Sequence, residues 1–265
     1  MSRAVRFMAL WACVVVAVRG EDAWLKPERS AATPGATLYF EVASANGFGN
    51  TSAPIGLDRD ARFFGWLGDA ELKVGAIATK DRTPRFPVTF LRPGVAVLGV
   101  ELQSRVVDVA PEDVEAYLRE VRAGDDLREE WQRMAPPRVW REKNVKFAKS
   151  FVRVGEPTAG DRTWTTALRF ALEIVPEVDP TNVRVGSELA VRVLRNGEPV
   201  VGIVLSYVSF GETHEHVTIT DFDGRARAKL DLRGPWLVRG TDLRRSKEPD
   251  RAWDSETTTM VVEVQ

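Results

Sequence analysis

Cysteine is almost missing from this chain of 265 residues, histidine occurs only twice, and no apolar run after the first twenty residues approaches the length of a membrane span. Each scarcity excludes something. The one cysteine, Cys13, lies in a segment that reads as a removable leader, so the mature protein is expected to have no disulfide, no thiol nucleophile and no cysteine metal ligand. The balance of charge is nearly even, 37 basic residues against 38 acidic. Without Arg3, Arg6 and Arg19, 34 basic residues remain, and the resulting net −4 argues against a nucleic-acid partner. Also missing are a Gly-x-Ser-x-Gly elbow, a His-Glu-x-x-His pair and a nucleotide loop. Asn46-Gly47-Phe48-Gly49-Asn50 has the glycines but not the spacing that cradles a phosphate. No enzyme is expected.

At the start stand Arg3 and Arg6, then an apolar run over 7–18, too short to span a bilayer. This is the pattern of a cleavable signal over 1–20, with export to the periplasm or the medium and a mature start at Glu21. The rival, a lipoprotein anchored through Cys13, rests on Leu10-Trp11-Ala12-Cys13 and is set aside because Trp11 is bulky for that motif.

The rest reads as mainly β, in two β-rich domains over 21–160 and 168–265. In the second, short alternating runs at 188–194, 200–208, 213–220, 225–230, 236–239 and 260–264 are separated by Asn196-Gly197, Asp223-Gly224 and Gly234-Pro235. Strands at this spacing predict an antiparallel sandwich of the immunoglobulin or transthyretin kind. In the first, strands are expected at 37–43, 63–67, 71–77, 85–91, 95–102 and 144–154. One helix is expected near 111–123, opened by Pro111-Glu112-Asp113 and carrying Val114, Tyr117, Leu118 and Val121 at helical spacing, with a second short turn of helix at 126–133 between Gly124 and Pro136-Pro137.

Several segments then stand together in order: Glu21-Asp22-Ala23-Trp24-Leu25; Pro111-Glu112-Asp113-Val114-Glu115; Lys146-Phe147-Ala148-Lys149-Ser150-Phe151; Leu172-Glu173-Ile174-Val175-Pro176; Asn196-Gly197-Glu198-Pro199; Thr220-Asp221-Phe222-Asp223-Gly224-Arg225; and Gly234-Pro235-Trp236-Leu237-Val238. In that order the chain resembles the family catalogued as domain of unknown function 4198. The resemblance implies an exported bacterial accessory protein of divalent transition-metal (nickel or cobalt) handling, with a divalent ion as its ligand. It also implies a site. Members usually begin with His-Asp where this chain has Glu21-Asp22, and often carry histidine where it has Asp242. Their Trp-acid-Ser element is matched by Trp253-Asp254-Ser255. Glu21, Asp22, Asp242 and Asp254 are therefore the metal candidates that the resemblance supplies, and such an oxygen set suits a hard cation.

A second candidate comes from the residues themselves. His214 and His216, spaced by two on a strand, point to one face as two metal ligands could. That face also carries Thr218 and Thr220, whereas Val217 and Ile219 fall opposite, so the pair is expected on a solvated face with no third ligand nearby in the chain. Asp221-Phe222-Asp223-Gly224 reads as a hairpin turn rather than a calcium loop, lacking the distal glutamate. The tryptophans are expected in the core. Two functions remain open: a non-catalytic binding or accessory protein for a metal ion, or a structural module that docks a protein or glycan of the cell envelope.

Overall fold

A computed structural model describes residues 22–265 except 51–54, 56, 58–60 and 212–213. The leader, Cys13 and Glu21 lie outside the described residues. The N-terminal half contributes β1 (Asp22–Pro27), β2 (Ala31–Ala32), β3 (Thr37–Ala45), β4 (Arg62–Leu67), β5 (Ala70–Glu71), β6 (Ala78–Lys80), β7 (Thr83–Thr89), β8 (Gly94–Glu101), β9 (Arg105–Val109), α1 (Val114–Glu120), α2 (Asp125–Arg133) and β10 (Trp140–Val154). The C-terminal half contributes β11 (Leu172–Pro176), β12 (Glu188–Arg195), β13 (Glu198–Pro199), β14 (Val204–Ser209), β15 (Glu215–Ile219), β16 (Arg225–Lys229), β17 (Gly234–Arg245) and β18 (Trp253–Val264).

Three sheets form three layers. The central one has ten strands, ordered β15-β14-β17-β18-β10-β8-β4-β5, with β2 and β9 also on β10. One outer sheet is β1-β3-β7-β6 and the other is β11-β12-β13 with β16 on β12. The alternation of β10 shows how the layers are held. Phe147 and Phe151 enter the core under the C-terminal outer sheet, with Ile174, Leu189 and Val191. Ala148, Val152 and Val154 enter the core under the N-terminal one, with Phe40, Phe86 and Val88. A strand buried on both faces loses the clean apolar–polar alternation, which is why 95–102 reads as a near-continuous apolar run.

The expected mainly-β class holds, and every pairing among β11–β18 is antiparallel. The central sheet draws strands from both sides of residues 160–168. β10 pairs in parallel with β18 over Glu142–Trp253 to Ser150–Val261, so one sheet runs through both halves. The expected helix and the short turn of helix expected after Gly124 are both present. α1 is shorter than expected, and α2 adds a further turn whose Trp131 packs on Trp140 beside Trp253. The strand expected over 71–77 ends at Glu71, because β5 pairs only at Trp66–Glu71 and Leu67–Ala70. The Asp221–Gly224 turn is borne out. The Asp221 carboxylate accepts the backbone N–H of Asp223 at 2.9 Å and of Arg225 at 2.8 Å, and Gly224 takes φ +71°. Six of the tryptophans (Trp24, Trp131, Trp140, Trp164, Trp236 and Trp253) are buried in the core as expected.

Candidate metal centre

β15 is the last strand of the central sheet, bonded on one side to β14, with no strand paired to its other side among the described residues. Its parity is the reverse of the expected one. Val217 and Ile219 are 46% and 63% exposed, while Thr220 is buried and His216 half-buried. The physical reason lies in the layers. The face carrying His216 and Thr218 is the one on which Tyr207 and Leu205, their cross-strand partners, join the sandwich core. The face carrying Val217 and Ile219 looks toward the N-terminal outer sheet, whose order ends at β1.

At this edge His216 stacks on Trp236, with ring centroids 5.8 Å apart and planes 7° from parallel, and His214 meets the same indole edge-on at 6.2 Å. Trp236 is fully buried and donates its indole N–H to the Leu232 carbonyl at 2.9 Å, so the platform beneath the imidazoles is fixed. The loop from β16 to β17 carries the chain from the C-terminal outer sheet back to the central one, and it delivers Asp231 to the same point.

The three side chains converge on one another. His214 Nε2 and His216 Nε2 are 3.3 Å apart, and each is 3.2 Å from Asp231 Oδ1. Hydrogen bonding to His216 holds the Asp231 carboxyl below the usual aspartate range, so it is an anion at neutral pH. Among the described residues this is the group of three or more ligating side chains close enough to hold an ion. Asp231 is the third ligand that spacing along the chain did not supply.

The acids that the resemblance supplied are placed differently. Asp22 on β1 is buried and paired with Arg239, and burial raises its carboxyl above the usual range despite that arginine. Asp242 on β17 is held by Arg195 and, at 2.8 Å, by Arg244. Asp254 on β18 is held by Arg251 at 2.6 Å. Arg239 and Asp242 have opposite parity on β17, so Asp22 and Asp242 lie on opposite faces of the central sheet, while Asp254 stands cross-strand from Arg244 on Asp242's face. Each of these carboxylates already has a guanidinium as its cation. The donor chemistry therefore fits a transition metal at His214, His216 and Asp231, where two imidazoles and one carboxylate have no arginine among them.

β15 is also fastened from its other face. Glu215, between the two histidines, accepts from Arg122 at 2.5 Å and stands 3.5 Å from Arg239, whose other partner is Asp22. Arg122 in turn donates to Ser206 on β14 at 3.0 Å. The N-terminal strand, the turn after α1 and the histidine-bearing strand thus share one charged network.

A mainly-β protein of three sheet layers, with a ligand trio at the open edge of one sandwich, is the class these observations define. The family model described as Domain of unknown function (DUF4198) matches residues 18–241, and the chain belongs to that family. Among curated proteins none matches the chain. Solved structures similar to it include the Escherichia coli adhesin FdeC, at 13% identity and TM-score 0.26, covering 92% of this chain and 64% of that one. The Yersinia pseudotuberculosis adhesin InvE matches at 9% and 0.24, covering 91% and 58%. The ectodomain of mouse nectin-like molecule 4 matches at 10% and 0.21, covering 92% and 64%. The chain therefore spans less than two thirds of the length of these structures, and TM-scores this low carry no argument about fold or function.

Proposed function

We propose that this is an exported, non-catalytic binding protein whose edge site takes a divalent transition-metal ion. The supporting observation is the convergence of His214 Nε2, His216 Nε2 and Asp231 Oδ1 within 3.3 Å of one another. A neutral imidazole nitrogen is either a donor or an acceptor. If both nitrogens carry protons, each donates to Asp231 and the two face one another donor to donor. If one is bare, it faces the carboxylate acceptor to acceptor. At most two of the three contacts are attractive without a cation between them, whereas a metal ion would replace them with three bonds to unprotonated Nε2 atoms and the carboxylate. Side-chain exposures of 43%, 31% and 44% leave the ligands open to solvent on one side, as an ion that must enter and leave requires.

The test is a thermal melt of the chelator-stripped protein titrated with zinc, cobalt and nickel. A ligand that binds only the folded state stabilises by about 2.7 kcal/mol at a hundredfold excess over Kd, which is several degrees for a protein of this size. That shift is expected in the parent and in the Asp22→Asn and Asp254→Asn variants, and is expected to vanish in His216→Ala and Asp231→Ala. No shift with any of the ions would refute the proposal.

A second reading, an envelope interaction module without a metal, is favoured by one observation. The open edge strand β15 turns Val217 and Ile219 outward, and an unpaired strand edge is a template for another chain.

A further inference from the structure

We infer that the edge site selects a four-coordinate ion, zinc in the first place, over nickel; the inference rests on the metal-binding reading above. The shape of the ligand triangle points to this preference. Its sides are 3.2, 3.2 and 3.3 Å, so it is close to equilateral. A square-planar or tetragonal ion bound meridionally by three ligands would spread two of them to trans positions about 4 Å apart, given metal–ligand bonds of about 2.0–2.1 Å. No side of this triangle approaches that. Three cis ligands on one face of an octahedron, at the same bond length, are about 2.8–3.0 Å apart, and three corners of a tetrahedron about 3.3–3.4 Å. The observed sides lie beside the tetrahedral value.

One of the three ligands is supported from beneath. The His216 ring is pressed flat on a fully buried tryptophan, and β15 is held through Glu215 to Arg122 from its other face. A triangle of this spacing favours a tetrahedral ion over one that requires six-coordinate or planar geometry. Two imidazoles and a carboxylate with a fourth position open to solvent is also a donor set that zinc accepts. The fourth ligand is then water or a donor carried by whatever receives the ion.

Selectivity of this origin has a signature in the order of affinities. Flexible nitrogen and oxygen sites bind nickel more tightly than cobalt, following the general series for divalent ions. A site of tetrahedral spacing inverts that order, because cobalt(II) accepts tetrahedral coordination readily and nickel(II) does not.

The experiment titrates the stripped protein with cobalt(II), recording the visible spectrum and tryptophan emission together, and then adds zinc or nickel as competitor. The expected result has three parts. Cobalt should give the intense visible absorption of a four-coordinate complex and change the emission of Trp236 beneath His216. Zinc at one equivalent should abolish the band. Nickel should need at least a tenfold excess to do so. A faint band of six-coordinate type, with nickel displacing cobalt at equal concentration, would overturn the selectivity while leaving metal binding intact. No spectral or emission change with any ion would overturn the underlying binding reading itself. His216→Gln should lose both signals, and retention of the intense band in that variant would place the cobalt elsewhere and overturn the assignment.

Discussion

Replacing Glu173 by leucine should destabilise the protein by about 3–5 kcal/mol, because it strands a cation in the middle of the molecule. Lys149 on β10 and Glu173 on β11 are both 2% exposed and are paired with each other between the central sheet and the C-terminal outer sheet. Lys149 also donates to the Ile174 carbonyl at 3.1 Å, and Glu173 accepts the Leu168 amide at 2.7 Å. Burial pulls the lysine pKa below its ordinary value, with Glu173 opposing the shift. Taking both charges out of water costs about as much as their attraction returns, so the pair as a whole contributes little net stability. The double variant Lys149→Met, Glu173→Leu should therefore recover most of what Glu173→Leu loses. Urea unfolding of the parent, the single and the double variant measures this. A double variant that is no more stable than Glu173→Leu would contradict it.

Trp236→Ala is expected to have an effect of similar size by another route. The indole fills the sandwich core beside Tyr207, Val238 and Val262, and removing a buried aromatic side chain costs about 3–5 kcal/mol. The same change removes the surface on which His216 stacks, so metal-induced stabilisation should fall as well. His216→Ala provides the contrast. Its side chain is partly exposed, so the variant should lose the metal response while its stability without metal changes by less than about 1 kcal/mol. The two variants separate the tryptophan's structural contribution from its part in the site. A His216→Ala protein as unstable as Trp236→Ala would show that the trio is part of the core.

These two positions also show what could be read from the chain alone. Trp236 was legible, because an apolar run after Gly234-Pro235 at the end of the sandwich has to be buried. The pairing of His214 with His216 was legible too, from a spacing of two on a strand. Their orientation was not, because parity rules take the apolar face of a strand as the buried one. β15 breaks that rule as an edge strand. Its apolar side looks past the end of the neighbouring sheet, and its polar side closes the sandwich. Asp231 is fifteen residues beyond His216 in the chain, across two turns and a change of sheet. Only the path of the loop between β16 and β17 brings it near, and nothing local in Leu230-Asp231-Leu232 announces that. The parallel pairing of β10 with β18 was equally hidden. Residues 253–259 are polar enough (Asp254-Ser255-Glu256-Thr257-Thr258-Thr259) to read as linker, yet they hold a central strand whose hydroxyls are satisfied internally. Thr259, for instance, donates to the Ala23 carbonyl at 2.6 Å.

Of the acids to which the family resemblance pointed, the three described, Asp22, Asp242 and Asp254, each have an arginine partner, while the imidazoles of this chain meet at the edge of the central sheet. The most direct measurement is an anomalous-difference map, at the zinc absorption edge, from crystals of the protein grown with zinc. The account predicts one strong peak about 2.0–2.1 Å from His214 Nε2, His216 Nε2 and an Asp231 carboxylate oxygen, with a single further ligand completing the tetrahedron. A peak at Asp22, Asp242 or Asp254 instead, or none at the edge of β15, would contradict it.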